Sequence, residues 1–132
     1  MVLISRIFTQ KPFKAKLSVD RKSIEYKGAT WARGMIYAQM GQYNKNYYDK
    51  SLRVWDHMKG LHNQDGEPFL RMGEIFMMTG KNSEAIYLLN LANGYDPYNA
   101  EVLRVRGSLF FLEGNYEQAS SDFGLASKAS SE

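Results

Sequence analysis

FLRMGEIFMMTGKNSEAIYLLNLANGYDP, residues 69–97, is the stretch that decides the fold. Gly73, Phe76, Gly80, Ala85 and Ala92 stand at set places in it and return 34 residues later as Gly107, Phe110, Gly114, Ala119 and Ala126. A period of that length, with small and aromatic residues in register, marks a stacked helical hairpin that cannot bury its apolar face alone. Two helices approach closely only where side chains are small. Gly73 with Ala85, and Gly107 with Ala119, therefore predict the close contact inside each hairpin. Ala92 and Ala126 are expected to face the neighbouring hairpin, with Phe76, Leu89, Phe110 and Phe123 filling the space between.

The punctuation agrees. Helices are predicted over 68–79, 82–94, 99–112 and 116–128, with Gly80–Lys81 and Gly114–Asn115 separating the members of each pair. Pro68 suits a first helical turn, where its missing N–H costs nothing. Asp96–Pro97 ends one helix and turns the chain, because proline cannot continue the ladder and restrains the residue before it. Upstream, apolar periodicity predicts helices over 28–40 and 43–59, broken at Gly41–Gln42. Gly34, Tyr37 and Gly41 precede Gly73, Phe76 and Gly80 by 39 residues instead of 34. About five extra residues are expected, in the loop 60–66.

Residues 69–97 present Phe69, Met72, Gly73, Phe76, Gly80, Ala85, Leu89, Ala92 and Pro97 in order. Residues 103–127 present Leu103, Gly107, Phe110, Gly114, Tyr116, Ala119, Phe123 and Ala126. In this pattern the chain resembles the tetratricopeptide repeat family. Arg106 departs from it where the family has Leu. The upstream copy departs further, with Asn46 and Arg53 in place of Ala, and Ser51 is the alternative small residue there. The resemblance covers about residues 28–128, most strongly 68–127. It implies an all-α fold of about three tandem helix–turn–helix units in a short right-handed solenoid. The repeats would span 28–60, 67–99 and 100–128, preceded by an irregular basic arm over 1–27 and followed by a polar tail at 129–132.

Composition narrows the chemistry. The 132 residues suffice for one domain with a core. There is no cysteine, which excludes disulfides, thiolate catalysis and thiolate-bound zinc. The net charge of +3 is uneven: residues 1–27 carry +5, and the remainder −2. Such an arm could touch acidic protein, lipid headgroups or nucleic acid, or stay solvated. The apolar run in MVLISRIF is too short for a signal segment or a membrane span, so the protein is read as cytoplasmic. His57 and His62 are read as surface residues, not metal ligands, because a helical zinc pair prefers a spacing of four. No catalytic or phosphate-binding constellation is recognisable, so neither an enzyme nor a cofactor is expected.

The family's first helices line the hollow side of the stack. Mapping that pattern onto this chain gives a groove of Trp31 and Met35 from the first repeat. Leu70, Glu74, Met77 and Met78 come from the second, and Arg104, Phe111 and Leu112 from the third. The surface is largely apolar and rich in methionine, which adapts to varied shapes. It suits an apolar peptide or an amphipathic helix of a partner protein. Only Arg104 matches the basic residues with which some repeats of this kind clamp acidic C-termini, so that specificity is not expected. In size and groove the chain looks like the small tetratricopeptide chaperones of type III secretion, which implies a chaperone or adaptor. One alternative is an assembly subunit acting through hetero- or homo-oligomers, with Tyr47, Tyr48 and Trp55 facing a partner. Another is a regulator whose basic arm meets nucleic acid; no signature supports that contact.

Overall fold

The computed structural model describes residues 19–61 and 66–131, with side chains for 27–59 and 66–131. Six helices follow one another: α1 (Val19–Met40), α2 (Asn46–Leu61), α3 (Glu67–Met78), α4 (Asn82–Tyr95), α5 (Ala100–Leu112) and α6 (Tyr116–Ser130). The described residues contain no strand. Residues 1–18 of the expected arm lie outside the described residues. Residues 19–27, expected to be irregular, belong to α1. Their charges leave no clean apolar stripe, which hid the helix, but Lys22, Glu25 and Lys27 are good helix formers in their own right.

The chain divides into two compact units, Met1–Met58 and Lys59–Glu132. The first holds the α1–α2 hairpin. Gly34 is the point of approach: a Cβ there would lie 2.5 Å from the Trp55 ring. Buried Ser51 stitches the contact, its hydroxyl donating to the Gly34 carbonyl at 2.7 Å and accepting from Trp55 Nε1 at 2.9 Å. Gly41 likewise leaves no room for a side chain beside Tyr48. Tyr37 stacks on Tyr47 at 5.9 Å, with the Lys50 ammonium 4.9 Å from the Tyr47 ring.

These contacts relocate the insertion. Gly34 meets Trp55, 21 residues on, whereas Gly73 meets Leu89 and Gly107 meets Phe123, each 16 residues on. The five extra residues are therefore inside the first hairpin, not in the loop 60–66. A longer turn absorbs part of them: Asn44 bonds back to the Met40 carbonyl, and its side chain accepts from Asn46 N–H at 3.1 Å. That turn delays α2 to Asn46. From Ser51 onward the 34-residue period holds across all three hairpins, with Ser51, Ala85 and Ala119 equivalent.

The second unit holds the two hairpins that the period describes best. α3 and α5 end identically. Lys81 N–H bonds to Phe76 O at 2.8 Å and Gly80 N–H to Met77 O at 3.1 Å; Asn115 and Gly114 repeat both bonds with Phe110 and Phe111. This closure needs a left-handed residue, and Gly80 and Gly114 supply it at φ 81° and 82°. Asn99 caps α5 by accepting from Val102 N–H at 3.0 Å. The core runs through Phe69, Leu70, Ala85, Leu88, Leu89 and Ala92 to Val102 and Leu109, so α5 packs against the α3–α4 pair. Ala119 and Ala126 are buried.

Candidate functional site

The helix α3 presents Leu70, Glu74, Met77 and Met78 along one stripe, at i, i+4, i+7 and i+8. Thirty-four residues later α5 presents Arg104, Ser108, Phe111 and Leu112 at the same places. The two stripes have different surroundings. In α3, Leu70 is 1% exposed and shares the core with Val102 and Leu109 of α5. Met77 packs against the same core, and only Met78, at 46%, is exposed. Leu70 is thus a core residue and not a groove contact. The physical reason is stacking: the next hairpin sits where a ligand was expected.

Glu74 is also engaged. The Arg71 guanidinium reaches Glu67 at 2.7 Å, Glu74 at 2.8 Å and Glu101 of α5 at 3.1 Å. Burial alone would lower the pKa of Arg71, but Glu67, then Glu74 and Glu101, outweigh it and hold it above its ordinary value. Burial pushes the Glu74 carboxyl up, and the pull of Arg71 does not cancel it. The cluster ties the second hairpin to the first turn of α5.

In α5 the stripe is open. Phe111 is 57% exposed and Leu112 67%, and Arg104 is exposed as well. Among the described residues Arg104 bonds only the Ser130 hydroxyl, at 3.3 Å, and no carboxylate. Ser108, Phe111, Leu112 and Phe123 together line an open notch of about 390 Å³. Phe123 was expected to fill the core. It is 40% exposed, whereas its equivalents Leu89 and Trp55 are fully buried. No following hairpin covers it among the described residues. Sequence reasoning therefore missed Phe123 as a surface residue.

Trp31 and Met35 belong to the first unit, on α1; Met35 is half-buried and Trp31 is 37% exposed. Tyr48 and Trp55 do not face outward, being buried against α1 at Gly41 and Gly34. His57 is exposed, and His62 lies outside the described residues. No group of acidic, His or Cys residues among the described ones could hold a metal ion, and none of the described helices is long and apolar enough to cross a membrane.

Arg106, the departure from the repeat pattern, has a local explanation. It reaches Asp122 through Nε at 2.8 Å and through a second nitrogen at 2.9 Å, and also bonds Asn90 at 3.2 Å. Asp122 is 4% exposed. The same two places one repeat earlier hold Met72 and Leu88. An ion pair stands between α5 and α6 where the equivalent places of α3 and α4 are both apolar.

No family model matches the chain, and no curated protein matches it. Solved structures do. The chain is similar to MamA of MSR-1, at TM-score 0.64 and 20% identity over 86% of this chain and 68% of that one. It is similar to SycD, the type III secretion translocator chaperone of Yersinia enterocolitica, at 0.65 and 16% over 86% and 83%. It is also similar to the second tetratricopeptide domain of Spaghetti (RPAP3), solved with the HSP90 peptide SRMEEVD, at 0.58 and 14% over 75% and 95%. The fold is the tetratricopeptide-repeat fold. At these identities the likeness fixes the arrangement of helices and leaves the chemistry of the surface to the residues above.

Proposed function

We propose that this chain is a protein-binding repeat module that holds an apolar or amphipathic segment of a partner protein, as a chaperone or adaptor. The carrying observation is the open stripe of α5, where Phe111 is 57% exposed at a place that the second hairpin keeps half-buried with Met77, and Leu112 beside it is 67% exposed. Exposed contiguous apolar surface of this kind marks an interaction site. Two of the similar structures agree in kind, one being a translocator chaperone and the other a domain solved with a peptide. On this reading the module works in the cytoplasm. It covers a client segment that would otherwise self-associate, and a secretion-system subunit is the finer form of that client. Met77, Met78 and Arg104 are proposed as further contacts beside Phe111 and Leu112, and Trp31 and Met35 as contacts of the first unit. The stripe holds one arginine and no lysine, so an acidic C-terminal tail is not the preferred client. The assembly-subunit alternative loses Tyr48 and Trp55 from its proposed interface, because both are internal to the first hairpin.

The test is comparative capture. The tagged chain and its Phe111→Ser/Leu112→Ser variant are each used to retain proteins from native lysate, and the retained proteins are identified by mass spectrometry. The parent is expected to retain a partner that the variant loses, with both chains melting at the same temperature. Equal retention by the two chains would remove the α5 stripe from the reading.

A further inference from the structure

The stacking inside the second unit shows what the α5–α6 end is shaped to receive. α5 seats on the α3–α4 pair through Val102, Val105 and Leu109, at i, i+3 and i+7, which join the cluster of Leu70, Leu89, Ile86 and Met77. Its Glu101 closes the seat electrostatically by reaching Arg71. Moved by one repeat, the residues of that seat become Arg104, Phe123, Ser120 and Phe111. These residues are exposed or line the 390 Å³ notch. The α5–α6 hairpin keeps Phe111, Leu112, Phe123 and Tyr116 exposed. It also places Arg104, which bonds no carboxylate among the described residues, where the inner seat has leucine.

We propose that the α5–α6 end is a seat for one amphipathic helix of a partner protein. The helix would present aliphatic side chains at i, i+3 and i+7 to the notch of Phe111, Leu112 and Phe123, and a carboxylate to Arg104. The proposal rests on the protein-binding reading and deepens it by naming the helix. The occupant's apolar spacing is that of α5, the helix seen filling the equivalent place. Its acidic residue follows from charge complementarity to Arg104. A second copy is the less fitting occupant, because a two-fold pairing of these ends would bring two Arg104 side chains together instead of a carboxylate.

The probe is a synthetic peptide of residues 99–113, capped at both ends, titrated into the isotope-labelled full chain and followed by amide NMR. Chemical-shift changes are expected at Arg104, Ser108, Phe111, Leu112 and Phe123. Arg104→Glu should weaken binding several-fold. Phe123→Ser should abolish binding while leaving the melting temperature within a few degrees. Shifts scattered over the surface, or unchanged affinity in Arg104→Glu and Phe123→Ser, would overturn the proposal. So would sedimentation showing that the chain alone dimerises with shifts at the same five residues, since the seat would then belong to a second copy. If the peptide leaves the seat unperturbed while a captured partner still shifts Trp31 and Met35, the seat fails and the protein-binding reading stands. If neither binds, both fail.

Discussion

The second and third hairpins are nearly the same object in two environments. Leu70 and Arg104 occupy one place, Leu89 and Phe123 another, Met77 and Phe111 a third. Where a hairpin follows, the place is aliphatic and closed; where none follows among the described residues, it is aromatic or charged and open. The difference teaches that at these three places burial follows position along the stack, because this face of a hairpin is covered by the next one.

The largest test of that comparison is truncation at the paired position. Leu89→Ala should cost about 2–5 kcal/mol in urea unfolding followed by circular dichroism, because it opens a cavity between hairpins. Phe123→Ala should cost about 1 kcal/mol, as expected for a part-exposed side chain. Equal costs would break the comparison. Next is the ion pair. Asp122→Ala leaves the mostly buried Arg106 without its carboxylate and should cost about 3 kcal/mol. Arg106→Met together with Asp122→Leu rebuilds the Met72–Leu88 arrangement and should return stability to within about 1 kcal/mol of the parent. If the double variant is as unstable as the single, the two hairpins are not interchangeable in packing.

A smaller effect is expected in the first hairpin. Ser51→Ala removes a donor to Gly34 O and leaves Trp55 Nε1 unpaired in a buried place. It should cost about 2 kcal/mol, read by tryptophan fluorescence, since both tryptophans lie in that unit. The smallest effect is in pH. Glu74 has its pKa raised by burial, so the native chain binds more protons than the unfolded chain just above the ordinary carboxylate pKa. That group's contribution makes stability fall as pH rises through this interval. Glu74→Gln should remove this slope, and an unchanged pH profile would mean that the carboxyl is better solvated than its surroundings suggest.

Much of this was legible in the sequence. The shared offsets of Gly73, Gly80, Ala85 and Ala92 gave the hairpins, their turns and their close contacts, because backbone approach and left-handed turns admit few residue types. The insertion was misplaced because Gly41 looks like Gly80 but serves a different purpose. Gly80 takes a left-handed turn, whereas Gly41 makes room for Tyr48. The groove was half legible. The resemblance to the repeat family pointed to the stripe of α3, but only the seating of α5 shows that Leu70 is covered. Arg106 was visible as an exception and became intelligible only with Asp122 beside it, a pairing that spans 16 residues and follows no local rule.

The absence of native cysteine makes the central claim directly measurable. Met77→Cys and Phe111→Cys place one thiol at equivalent positions of the two stripes, and their reaction rates with a thiol reagent can be compared in the folded chain. The thiol at position 111 should react nearly as fast as a free thiol and the one at position 77 much more slowly. Equal rates would contradict the account.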